Sequence, residues 1–244
     1  MIEKYLVKKI TEPVDWKVTV PGSKSMTNRA LLMAVLSAGT VRVEGVLFSD
    51  DSRHFLACLV ALGFTVEIEE EKKCVTVTGC GGRIPRGEAV IDVGSAGTAA
   101  RFLAAMLGFS DGCYEIRCSA QMKRRPMAEL FDLLSGAGAK ITFLEEEGHL
   151  PVRITGCRYA RADKTAGETP RELSLDITKS TQFLSALLLI APMVPEGMKI
   201  HITSEKTDGS YIRITRKMMQ EFGVSVAFDG RDYEVPCRSS YRKE

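Results

Sequence analysis

Three times along the chain a helical spacing of apolar positions ends, a glycine intervenes, and strict alternation follows. The stretches are Ala-Leu-Gly63-Phe-Thr-Val-Glu-Ile, Gly-Ala-Gly138-Ala-Lys-Ile-Thr-Phe and Glu-Phe-Gly223-Val-Ser-Val-Ala-Phe. Glycine suits the position just past a helix end because it tolerates the left-handed conformation. Alternation with period two marks a half-buried strand. A second short strand follows each time, at Cys74-Val-Thr-Val-Thr, Pro151-Val-Arg-Ile-Thr and Asp232-Tyr-Glu-Val-Pro.

Upstream lies a second trio, beginning Ser23-Lys-Ser-Met-Thr-Asn-Arg-Ala, Ser95-Ala-Gly-Thr-Ala-Ala-Arg-Phe and Lys179-Ser-Thr-Gln-Phe-Leu-Ser-Ala. Small hydroxyl residues suited to helix caps lead into segments apolar on most faces, and such helices must be buried. More amphipathic helices are expected at residues 51–62, 126–135 and 211–222, with Pro126 in a first turn, where its missing N–H costs little. The chain therefore reads as an α/β protein of three repeated βαβαββ units, each about 75–85 residues by the glycine spacing. Buried helices are expected inside and sheets outside.

Composition narrows the classes. The 244 residues are 45% hydrophobic and 26% charged, ordinary for a globular chain. A net charge of +2 offers neither the basic stripe that nucleic acid would need nor a polybasic membrane patch. The longest apolar run, residues 183–194, falls short of the roughly 18 residues of a membrane span. No secretory signal opens the chain, so its seven cysteines read as reduced thiols in a cytoplasm.

Charge placement changes the picture. Helix N-termini favour anions, yet here the buried helices begin among cations: Lys24 and Arg29, then Arg101, then Lys123-Arg124-Arg125, then Lys179. An anionic ligand at converging N-termini would resolve that conflict, since free N–H groups, hydroxyls and cations all serve an oxyanion. The turn at residues 21–25 lacks the spacing of a nucleotide-binding P-loop. His54, His149 and His201 have no partner at ligand spacing, and no Cys-x-x-Cys pair suggests zinc.

Pro21-Gly22-Ser23-Lys24-Ser25-x-x-Asn28-Arg29-Ala30, Ala96-Gly97-Thr98-Ala99-Ala100-Arg101, Arg125-Pro126-Met127 and Ser180-Thr181-Gln182-Phe183 resemble, in order and spacing, the blocks of the 5-enolpyruvylshikimate-3-phosphate synthases. The resemblance runs to about residue 238. It implies two domains of three βαβαββ units with the active site between them. It also implies enolpyruvyl transfer from phosphoenolpyruvate to the 5-hydroxyl of shikimate 3-phosphate, with no metal or organic cofactor. By resemblance, Lys24, Gly97 and Arg125 face phosphoenolpyruvate, and Ser25, Arg29, Ser180, Thr181, Gln182 and Tyr211 face shikimate 3-phosphate. Lys24 and Gln182 take the catalytic positions.

This chain departs from the family in three places. Thr181 stands where a second serine is common, Asp208 where a phosphate-binding serine is common, and a second domain lies outside the sequence. On this reading residues 1–19 help complete the other domain, 20–238 form the three-unit domain, and 239–244 lead across. The chain is then expected to be a fragment that binds substrate without turnover. Two alternatives stand beside it: an enolpyruvyl transferase acting on UDP-N-acetylglucosamine, and a non-catalytic phosphometabolite-binding module. The first usually carries a cysteine where this chain has Ala120, with Cys118 two residues away.

Overall fold

A computed structural model describes residues 6–157 and 169–242. The first unit contains α1 (Lys24–Leu36), β1 (Ala38–Glu44), α2 (Asp50–Ala61), β2 (Thr65–Glu69) and β3 (Cys74–Cys80). The second contains β4 (Glu88–Asp92), α3 (Gly97–Gly108), β5 (Cys113–Arg117), the short α4 (Ala120–Lys123), α5 (Ala128–Gly136), β6 (Lys140–Phe143) and β7 (Val152–Thr155). The third contains β8 (Arg171–Leu175), α6 (Thr181–Ile190), β9 (Met198–Ile202), α7 (Ser210–Glu221), β10 (Ala227–Phe228) and β11 (Asp232–Val235).

Each unit builds one sheet. The second and third have the orders β4-β5-β7-β6 and β8-β9-β11-β10, with the opening strand parallel to its neighbour and the other pairings antiparallel. Helices α1, α3 and α6 fill the centre. All twelve residues of α3 are buried, and so is every residue of α6 from Phe183 onward. Leu184, Leu187 and Leu188 are fully covered, and burying each contributes roughly 1.5–3 kcal/mol. The apolar run around α6 is thus core, and no described helix is long and apolar enough to cross a membrane.

The three glycines end the outer helices by one device. Gly63, Gly138 and Gly223 have φ of 91°, 98° and 82°. In the first, Gly63 N–H reaches Val60 O at 3.0 Å and Phe64 N–H reaches Leu59 O at 3.1 Å. The same pair of bonds recurs at Gly138 and Ala139, and at Gly223 and Val224. This is the paired-carbonyl closure of a helix that requires a left-handed residue.

Three expectations are corrected. Pro126 lies outside the fifth helix, which starts at Ala128, because the Ser119-capped turn of α4 runs as far as Arg124. The strand after Gly223 shortens to two residues, with Val224 and Val226 buried ahead of it. The first sheet has three strands, β1-β3-β2, because residues 14–20 are exposed and join no ladder.

Candidate active site

The seventh residue counted from Ser23, Ser95 and Lys179 is Arg29, Arg101 and Ser185 respectively. Repetition therefore carries these three side chains to equivalent places on the central helices, and two of them, Arg29 and Ser185, meet. Arg29 is 2% exposed. Its Nε donates to Thr215 Oγ1 at 2.7 Å, Nη1 to Ser25 O at 2.8 Å and Nη2 to Ser185 Oγ at 3.2 Å. The guanidinium also lies over the rings of Phe102 and Tyr211, 5.2 and 5.6 Å from their centroids. One side chain thus ties α1 to α3, α6 and α7.

Every one of those acceptors is neutral. Burial pulls the Arg29 pKa down to about 10, opposed by the Tyr211 phenol, and the group remains a cation at neutral pH. Among the described residues no carboxylate pairs with it, which leaves a buried charge uncompensated. Three of its five N–H groups are committed to protein, so two remain for a ligand.

Arg101 repeats the situation one unit on. It is 7% exposed, its Nη1 donates to Gly97 O at 3.0 Å, and its Nε is buried without a partner. Its guanidinium stacks 5.3 Å from the Phe183 centroid. Burial, and then the positive charge of Arg125, push its pKa down to about 10 against a smaller opposing pull from Glu129. The two cations meet at Gly97. A methyl group there would lie 2.5 Å from Arg125 Nη1 and 2.9 Å from Arg101 Nη1. Ala96, at the cap position, supplies no side-chain acceptor to the first turn of α3. Two guanidinium groups beside an uncapped helix N-terminus are an arrangement chemically suited to an anion.

The remaining sequence-derived candidates fall around these centres. Ser180 caps α6, accepting from Gln182 N–H at 3.2 Å, with Thr181 and Gln182 half-buried beside it. Thr181 abuts Gly209 at the start of α7, 3.6 Å from where a β-carbon would sit, and Tyr211 opens that helix 52% exposed. Lys24 stands apart: its ammonium pairs with Asp51 of α2 at 3.2 Å. Lys179 pairs with Glu129 of α5 at 2.6 Å, linking the second unit to the start of α6. Asp208 turns to Arg213 at 2.8 Å and accepts from the Tyr233 hydroxyl at 3.3 Å. Burial alone would raise its pKa, but the Arg213 bond brings it below the usual range. Its charge is therefore held by Arg213.

The family model described as EPSP synthase (3-phosphoshikimate 1-carboxyvinyltransferase) matches residues 8–238. The chain belongs to the EPSP synthase family. The 3-phosphoshikimate 1-carboxyvinyltransferase of Sulfurovum sp. is 42% identical over 214 residues, covering 87% of this chain and 48% of the relative. That of Trichormus variabilis is 36% identical over 234 residues, covering 96% and 53%. Among solved structures, EPSP synthase from Acinetobacter baumannii superposes with a TM-score of 0.75 at 24% identity, covering 93% of this chain and 48% of that one. The chain spans about half the length of the relatives it matches.

Sequence reasoning passed over several partners that shape the site. Ser185 and Thr215 hold Arg29, Asp51 holds Lys24, and Arg101 joins Arg125. Ser185 was reachable from the repeat count; Thr215 and Asp51 carry no such signal.

Proposed function

We propose that the protein to which this chain belongs transfers the enolpyruvyl group of phosphoenolpyruvate to the 5-hydroxyl of shikimate 3-phosphate in the cytoplasm, releasing phosphate. The single observation that carries the reading is the pair of guanidinium groups converging on Gly97 at the start of α3. Gly97, Arg125 and Lys24 take the phosphoenolpyruvate side. Arg29, Ser25, Ser180, Thr181 and Tyr211 take shikimate 3-phosphate, with Gln182 between the two. Hydroxyls at the start of α6 suit a phosphate, which accepts short hydrogen bonds from adjacent donors at a helix N-terminus. Lys24 and Gln182 take the catalytic roles, which requires Lys24 to exchange its Asp51 partner for substrate.

Residues 20–238 form the shikimate 3-phosphate domain, residues 1–19 complete a second domain, and 239–244 lead toward it. Leu6, Val7, Trp16 and Val18 are left in solvent, which supports docking of the N-terminal segment elsewhere. The chain alone binds shikimate 3-phosphate and does not turn over. Transfer to UDP-N-acetylglucosamine is the poorer reading, because Ala120 occupies its cysteine position and burial pushes the nearby Cys118 thiol up to about 11, away from a reactive thiolate.

Mixing the chain with a separately produced second half of an EPSP synthase tests the proposal. Phosphate release that needs both halves and both substrates is the expected result. Binding of shikimate 3-phosphate with no phosphate release from the mixture would instead make it a binding module.

A further inference from the structure

Arg125 meets Arg101 at Gly97, yet among the described residues no hydrogen bond or ion pair fixes its guanidinium. The charge it feels from Arg101 has its own sign. Where the group sits therefore depends on how its backbone is held.

That backbone spans the gap between Met122 at the core side of α4 and Met127, both fully buried. Arg125 N–H donates back to Met122 O at 3.0 Å. Pro126 confines Arg125 to extended conformations and has no N–H of its own to anchor the turn. α4 ends at Lys123, and a carbonyl at a helix end has no partner inside its helix.

The missing partners come from one loop, residues 144–151, which joins β6 to β7. His149 Nδ1 lies 2.7 Å from Lys123 O. A carbonyl only accepts, so Nδ1 carries the proton in that contact. Gly148 O accepts from Met127 N–H at 2.9 Å. The two bonds bracket Arg125, one two residues before it and the other two residues after. Lys123 Nζ also pairs with Glu145 of the loop, but both groups are well exposed and such a pair contributes little.

The loop is built to hold that position. Leu144 N–H closes it on Pro151 O at 3.1 Å, His149 N–H donates to Glu146 O at 3.2 Å, and Leu150 is buried. Gly148 has a φ of 77°, and a β-carbon there would lie 3.1 Å from Ala128 Cβ, so a side chain would push the loop off α5.

We infer that His149 is a positioning residue for the anion site at Gly97, its Nδ1–H bond to Lys123 O fixing the stretch from which Arg125 reaches the ligand. It acts through Arg125 and the Gly148 bond to Met127 assists it. The chemical consequence rests on the placement of phosphoenolpyruvate at Arg125 proposed above; the mechanical link does not.

Two measurements separate the link from that placement. Amide hydrogen exchange on the chain as given needs no substrate: His149→Leu should speed exchange at Arg125 and Met127 at least tenfold. His149→Asn, whose amide nitrogen stands where Nδ1 stood, should restore both. In the reconstituted two-half enzyme, His149→Leu should raise the KM for phosphoenolpyruvate about tenfold with kcat and the KM for shikimate 3-phosphate within about twofold, and His149→Asn should stay within about twofold of wild type throughout. Where His149→Leu does not fold, His149→Gln, which moves the donor one bond outward, carries the same expectation. Unchanged exchange at Arg125 overturns the inference. So does an unchanged KM for phosphoenolpyruvate when Arg125→Ala raises it, or an equal loss in the Leu and Asn variants. If Arg125→Ala leaves that KM unchanged, or the mixed halves release no phosphate, the placement of phosphoenolpyruvate fails and the exchange rates alone decide the link.

Discussion

Arg29 and Ser185 occupy the same position in the first and third repeats, and their side chains meet, Nη2 donating to Oγ at 3.2 Å. Arg101 holds that position in the second repeat and stacks on Phe183 of the third. Repetition has thus placed equivalent residues on the three central helices, and two of the three are buried cations for which no salt bridge is found among the described residues. A core built for stability alone would not keep them, since replacing buried ions by apolar groups is often neutral or stabilising.

That argument predicts a trade at Arg29. Arg29→Met keeps much of the side chain's volume and removes the buried charge, while Thr215 Oγ1 retains its bonds to Ser185 Oγ and Tyr211 O. Stability in urea should stay within about 1 kcal/mol of wild type or rise, while shikimate 3-phosphate binding weakens about tenfold or more. Unchanged binding would remove Arg29 from the site.

Gly97 sits in a helix, so an added methyl group strains no backbone angle but collides with both guanidinium tips. Gly97→Ala should leave the stability of the chain within about 1 kcal/mol. Its shikimate 3-phosphate affinity should stay within about twofold. In the reconstituted two-half enzyme the KM for phosphoenolpyruvate should rise about tenfold or more. An equal loss for both substrates would contradict the division of the site.

The helix-ending glycines separate conformational strain from crowding. At Gly138 an added β-carbon meets only Cys157 at 3.6 Å, an ordinary contact, so Gly138→Ala should cost about 1 kcal/mol from the left-handed angle alone. At Gly63 it would lie 2.8 Å from Arg86 Cγ, so Gly63→Ala should cost more. Chemical denaturation of both variants checks the order, and a larger loss at Gly138 would refute it.

Alkaline pH probes the Cys58 thiol, which donates to Asp92 O at 3.3 Å and whose pKa burial pushes from 9 up to about 12. Below pH 9 it is protonated folded and unfolded. Between 9 and about 12 it ionises only when unfolded, so stability falls as pH rises, by at most about 1.4 kcal/mol per unit. Comparing wild type with Cys58→Ala in urea at pH 8 and 10 should show a smaller fall in the variant. Equal falls would show that the thiol contributes nothing.

Much of this was legible in the chain. A helix end, a glycine and an alternating strand leave a local signature, so Gly63, Gly138 and Gly223 announced three units. Cations at helix N-termini broke a local rule, and two of them, Arg101 and Arg125, meet at Gly97, whereas Lys24 and Lys179 pair with Asp51 and Glu129. Long-range partners left no such trace. Nothing near Asp208 shows that Arg213, five residues on and one turn into α7, takes up its charge. Residues 16–20 carry a strand pattern as clear as that of 89–93, yet pattern specifies only a face to bury and not which sheet buries it.

The central claim is that Arg29 and the hydroxyls at the start of α6 bind shikimate 3-phosphate. Titration calorimetry of the chain and of Thr181→Val tests it most directly, because that substitution keeps shape and removes one hydroxyl at the α6 N-terminus. Saturable binding that weakens about tenfold in the variant, the scale of one lost hydrogen bond to a charged group, is the predicted result. No binding by the wild-type chain, or equal affinity for the two, would contradict it.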